Sequence, residues 1–183
     1  MSIAVIILIA LVALLILWVV SVQNKLVRLD EVCKNAFKQI NVQQISRFDA
    51  IKALVKLTRD YASYEADTLE KVISQRRITS GPAPTAADIN GNEAALSEMT
   101  AKLIAVAERY PDLKANENYV KTMDSIRQYE ENVRLSRMTA NDTVTRFNNQ
   151  VRMFPGSVVA SLLGFSQREY LQDEVSKADY PEI

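Results

Sequence analysis

Neither glycine nor proline occurs before Gly81, and neither occurs between Pro111 and Pro155. Both residues interrupt regular helices, so two stretches without them predict two long helices. The first is expected to continue from about Gln23 to about Arg77, very roughly 80 Å at helical rise. The segment Ile78–Asn92, ITSGPAPTAADINGN, reads as a loop, with Asn90 and Glu93 forming a capping box for a helix over Glu93–Arg109. Proline at position 111 ends that helix and opens the next, which starts between Pro111 and Asn116 and stops at Phe154-Pro155-Gly156. Ser157–Phe165 is apolar enough to pack, Ser166–Ala178 can form a short terminal helix, and Asp179–Ile183 reads as a frayed tail. No segment alternates as a strand between hairpin turns. The fold class is all-α.

Spacing supports both long helices. On the first, a 4,3 step from Leu29 visits Cys33, Ala36, Ile40, Gln43, Arg47, Ala50, Leu54, Leu57, Tyr61 and Tyr64. On the last, the same step visits Tyr119, Met123, Ile126, Glu130, Val133, Arg137, Ala140, Val144, Phe147, Val151 and Phe154. These are coiled-coil-like seams, mostly apolar, with a few polar interruptions.

What precedes the first seam sets its surroundings. Ile3–Val22, IAVIILIALVALLILWVVSV, carries no charge. About twenty residues at roughly 1.5 Å each match the hydrocarbon thickness of a bilayer, and only a helix can cross there, because lipid offers backbone N–H and C=O groups no partners. A buried core helix and a cleaved signal peptide are the alternatives. A signal peptide wants a basic start and small residues at its cleavage site, and neither is present. Residues 1–24 are therefore read as a single-pass transmembrane anchor. Lys25, Arg28, Lys34 and Lys38 follow it, while no Lys or Arg precedes it. The positive-inside bias then puts the N-terminus outside and the body in the cytoplasm. Trp18, Lys25 and Arg28 are the expected membrane-interface residues.

The remaining composition mostly excludes. Formal net charge is zero, which argues against nucleic acid as a partner, since phosphate binding needs a basic excess. There is no histidine, which removes the commonest general base and most zinc sites. No phosphate-cradling glycine loop is present. No cofactor, metal or catalytic residue is expected. The single cysteine, Cys33, allows no intrachain disulfide and reads as a small buried hydrophobe.

Charges on apolar seams need partners, because stranding one buried member of a pair costs about 3–5 kcal/mol. Contacts are expected among Arg47, Glu65, Glu108, Glu130 and Arg137, as ion pairs that fix helix register. A catalytic carboxylate at Glu130 is the alternative. Asn141 and Asn148, one heptad apart, read as hydrogen-bonding partners between helices.

Glu108-Arg109-Tyr110-Pro111-Asp112-Leu113-Lys114-Ala115-Asn116 resembles the LemA family of bacterial membrane proteins. Arg47 with Asp49 and Leu54, then Tyr61-Ala62 and Glu65, are similar to further stretches of that family. So are Glu130, Arg137, Asn141, Phe147-Asn148, Phe154-Pro155 and Gly164-Phe165. The chain departs at Ala50, where Leu is common, and at Ala140, where an aromatic is usual. The resemblance runs from the anchor to about Phe165 and implies an N-terminal transmembrane helix continuing into an antiparallel four-helix bundle; the bundle is placed over residues 25–166, with a short helix and tail over 167–183. It implies no agreed enzymatic activity, and a magnetosome-forming member points to shaping or organising membranes.

These readings converge on a non-catalytic scaffold in the bacterial inner membrane. Its partners would be the lipid bilayer, further copies of itself and other membrane proteins. A first helix longer than its neighbours would leave a face for a second copy to cover. An adaptor or regulator of a neighbouring membrane protease or transporter is the other reading.

Overall fold

The computed structural model describes residues 3–75 and 84–172. Its elements are α1 (Ile3–Thr58), α2 (Ser63–Gln75), α3 (Ala86–Arg109), α4 (Pro111–Ala115), α5 (Glu117–Arg152) and α6 (Gly156–Leu162). No strand occurs among the described residues. The chain divides into two compact units, one of Met1–Asn35 with Asn141–Tyr170 and one of Ala36–Ala140 with Leu171–Ile183.

The first long helix does not reach Arg77. It ends at Thr58, whose hydroxyl donates back to the Leu54 carbonyl at 2.9 Å. A run of three-residue turns follows, from Arg59 N–H to Lys56 O, Asp60 to Leu57 and Tyr61 to Thr58. These tighter turns close the helix. The expected long helix thus splits into α1 and α2. Beyond the apolar segment α1 extends only about 50 Å, close to the length of α5. The argument that an overlong first helix needs a second copy to cover it loses its basis.

The expected loop is also shorter. Thr85, not Asn90, caps α3: its hydroxyl accepts from Asp88 N–H at 3.1 Å, and the Asp88 carboxylate accepts from Thr85 N–H at 2.9 Å. Residues 86–92 are helical, and residues 76–83 lie outside the described residues. Pro111 opens α4 as expected. Asn116 then caps α5, its side-chain oxygen accepting from the Asn118 and Tyr119 N–H groups at 2.9 and 3.2 Å.

Past α6, Gly164 takes the left-handed conformation at φ 74°. Phe165 N–H reaches back to Ala160 O and Gly164 N–H to Ser161 O, the double bond of a glycine-terminated helix. Residues 165–172 are not helical; the Arg168 N–H and carbonyl and the Gln172 carbonyl are bonded by side chains of α5. The rest of the expected terminal helix, and the tail, lie outside the described residues.

The second unit has the larger core. Ile51, Leu54 and Val55 of α1 pack with Leu69 of α2, Leu96 and Leu103 of α3, Leu113 of α4 and Ile126 of α5. In the first unit Leu26, Cys33, Val144, Phe147 and Val159 are buried. Along α5 the expected seam is the observed one: Tyr119, Met123, Ile126, Val133, Arg137, Ala140, Val144 and Phe147 are all buried. Glu130 and Val151 are half-buried, and at its end Phe154 is 84% exposed. Along α1 every second position is rotated by one residue. Cys33, Ile40, Arg47 and Leu54 are buried as read, but their companions are Phe37, Gln44, Ile51 and Thr58. In contrast, none of the apolar window near the N-terminus is buried. That removes the core-helix alternative and leaves a helix long and apolar enough to cross a membrane.

Candidate functional site

The second unit buries polar side chains in one connected network. The Arg47 side chain, 1% exposed, donates to the Glu93 carboxylate at 2.6 Å. Its other terminal nitrogen donates to Thr100 Oγ1 and to Glu130, each at 3.3 Å. Gln44, fully buried, donates to the Ile89 carbonyl at 2.9 Å and to Glu93 at 3.1 Å. Asn92 donates to the side-chain oxygens of Gln44 and Asn41. Helical spacing puts Gln44 and Arg47 on one stripe of α1, and Ile89, Glu93 and Thr100 on the facing stripe of α3.

This cluster neutralises charge internally. Glu93 is itself buried and takes bonds from both Arg47 and Gln44. Glu130 lies at the rim with a 44% exposed side chain. Arg47 Nε is buried without a partner. Among the described residues no group of three or more acidic or cysteine side chains is placed to hold a metal ion. Three helices meet at one guanidinium.

The other expected charged residues lie elsewhere. Glu65 on α2 accepts from the Tyr110 hydroxyl at 2.9 Å and sits 3.7 Å from Arg109. The hydrogen bond to Glu65 pushes the Tyr110 phenol above its ordinary range. Asn116 donates to the Tyr61 hydroxyl at 2.9 Å. Glu108 is exposed and makes none of the expected pairs among the described residues. Arg137, 6% exposed, meets neutral oxygens: Asn90 Oδ1 at 2.9 Å and the Gln172 carbonyl. Its other terminal nitrogen is buried and unpartnered.

In the first unit a third arginine ties down the segment after α6. Arg168 donates twice to Asp30, at 2.9 and 2.6 Å, and lies over the Phe147 ring at 5.8 Å. The Asn148 side chain accepts from Arg168 N–H and donates to its carbonyl, both at 2.9 Å. So Asn148 imitates a backbone partner for an extended strand of chain. It does not bridge two helices. Burial raises the Asp30 carboxyl, but hydrogen bonds from Lys34 and Arg168 outweigh that and hold it below its ordinary value. Burial pushes the Cys33 thiol up, which keeps it protonated.

Sequence reasoning missed Gln44, Asn92 and Glu93. Glu93 had been assigned to a helix cap, and Gln44 was displaced from the seam by its neighbour Gln43. At the other end, Trp18 is 36% exposed, while Lys25 and Arg28 are exposed just past the apolar segment.

The LemA family model matches residues 36–183, most of the chain. Two magnetosome proteins of Paramagnetospirillum magneticum, MamQ 1 and MamQ 2, are each 27% identical to it over 93 residues. That match covers 48% of this chain and 34% of each relative, so the chain spans about a third of the length of the curated relatives it matches.

Proposed function

This chain belongs to the LemA family, and from that premise we propose that it is a non-catalytic, membrane-anchored helical-bundle protein. It organises membrane through association with copies of itself, held in the bacterial inner membrane by a single pass with its body in the cytoplasm. One observation carries the reading. The uncovered apolar segment and the helix that contributes Arg47 to the buried network are the same uninterrupted helix, α1. The basic residues that follow the apolar segment support a cytoplasmic body.

The body we propose is an antiparallel four-helix bundle of α1, α2, α3 and α5. Hydrogen bonds step from Asn41–Asn92 to Arg47–Thr100, as expected for α1 and α3 running the same way. Tyr61–Asn116 and Arg47–Glu130 step in opposite senses, as expected for α5 returning. Glu65 meets Arg109 at the far end of α3, as expected for α2 reversing. The charged network would then set register, with Glu130 as a rim partner of Arg47 and not an acid or base.

For self-association the supporting surface is on α5, where Leu135 and Met138, one turn apart, are 49% and 56% exposed. The size of the full-length protein in nanodiscs tests it. Dimers or larger species at micromolar concentration are expected, and a strict monomer contradicts them. Crosslinking in native membranes separates the readings: self-adducts are expected, whereas a stoichiometric adduct with a protease or transporter would favour an adaptor.

A further inference from the structure

Where α5 ends, the first unit leaves apolar side chains uncovered. Met153 is 64% exposed, Phe154 84%, Val158 51% and Leu162 80%. Single exposed apolar residues are ordinary, but a cluster at one elbow marks a contact surface. This elbow lies against α1 at a telling level. A cleft of ≈650 Å³ has Trp18, Val22 and Lys25 on one wall and Arg146, Met153 and Phe154 on the other. Met153 and Phe154 therefore sit beside the last turns of the apolar segment, while Lys25 and Arg146 sit on the side of the body. Among the described residues no acidic side chain lines the cleft. Gly156 makes the elbow tight: a Cβ there would meet the Gln150 carbonyl oxygen at 2.6 Å.

We propose that this elbow is a second membrane contact, and that the cleft takes the headgroup of an anionic phospholipid from the leaflet facing the body. Met153, Phe154 and Leu162 enter the acyl-chain boundary, and Lys25 and Arg146 hold the phosphate. The order of chemistry along the cleft, apolar toward the anchor and basic toward the body, is that of a phospholipid lying along α1. Trp18 lines the same wall, where an indole favours the interface. The inference rests on α1 crossing the bilayer, so its test reads that separately.

A fluorophore is attached through cysteine at Phe154, at Leu11 or at Asp124 of the full chain in liposomes. Native Cys33, fully buried, gives the background. Spin-labelled lipids should quench the position-154 probe from shallow acyl positions and the position-11 probe from deep ones, and leave the position-124 probe bright. Quenching at 11 without quenching at 154 overturns the inference and leaves the anchor standing. No quenching at 11 removes the anchor itself, and the inference with it. Native mass spectrometry then counts phosphatidylglycerol carried from mixed vesicles of phosphatidylglycerol and phosphatidylcholine. The double variant Lys25→Gln, Arg146→Gln should carry roughly thirtyfold less, in line with about 1 kcal/mol for each of two charges near an anionic surface. Equal retention by variant and native protein, or equal uptake of both lipids, overturns the headgroup site.

Discussion

Two buried arginines in the second unit solve the same problem differently. Arg47, on α1, faces one buried carboxylate and one at the rim, so its charge is cancelled where it sits. Arg137, on α5, is nearly as buried but is met by an amide oxygen and a backbone carbonyl. The first is half of an ion pair, and removing it strands a buried charge. The second, among the described residues, is a cation met by dipoles, and removing it strands neutral acceptors. The two sites should therefore answer quite differently to the same substitution.

The largest effect is expected at Arg47→Met. It leaves Glu93 buried and unpaired and should cost about 3–5 kcal/mol in chemical denaturation. Adding Glu93→Met should recover much of that loss, because a buried pair can often be replaced by apolar side chains of similar size. A double variant no more stable than Arg47→Met would break the comparison from the Arg47 side. Arg137→Met should cost less, about 1–3 kcal/mol, the range for leaving buried neutral groups unsatisfied. A loss as large as that at Arg47 would break it from the other side.

Glu130→Gln sharpens the contrast within the network. With its side chain 44% exposed, solvent screens the pair, and the change should stay below about 1 kcal/mol. Substantial unfolding would mean that Glu130, and not Glu93, is the main counter-charge.

The mildest effect is pH-dependent and belongs to Arg168, the third arginine, whose partner Asp30 is only partly buried. Asp30 is held below its ordinary pKa by Lys34 and Arg168, against the opposing effect of burial. A depressed carboxyl stabilises the fold above its unfolded value, about 3.9, and that contribution fades as pH falls through the lower folded value. The stability difference between native protein and Asp30→Asn should thus be constant above about pH 5 and shrink below pH 4. A difference that grew on acidification would mean that Asp30 is raised.

How legible these sites were in the sequence depended on what marks an element's end. The α5 seam was read in correct phase because Pro111 and Pro155 bracket it and aromatic residues fix its face. The α1 seam slipped by one at alternate positions, because Ala36 and Phe37, or Ala50 and Ile51, offer an apolar residue on either side of the stripe. Neighbouring residues are about 100° apart on a helix, so tertiary packing makes the choice. The same slip hid Gln44. The break after Thr58 carries neither glycine nor proline, so composition does not signal it. Gly91 reads as loop yet sits inside α3 with nothing within 4 Å of where a Cβ would lie. That made Asn90–Glu93 look like a helix start and concealed the buried role of Glu93. One part of the family signature serves element ends and caps and was untouched by these slips: Tyr110 holds Glu65 and Asn116 caps α5.

The account turns on α1 remaining one piece from the lipid to Arg47. Peptide-resolved mass spectrometry of the protein recovered from alkali-washed native membranes tests that most directly. The account predicts a pelleted chain that retains Ile3–Val22. A mature chain that begins after Val22 and washes off with the soluble fraction would contradict it.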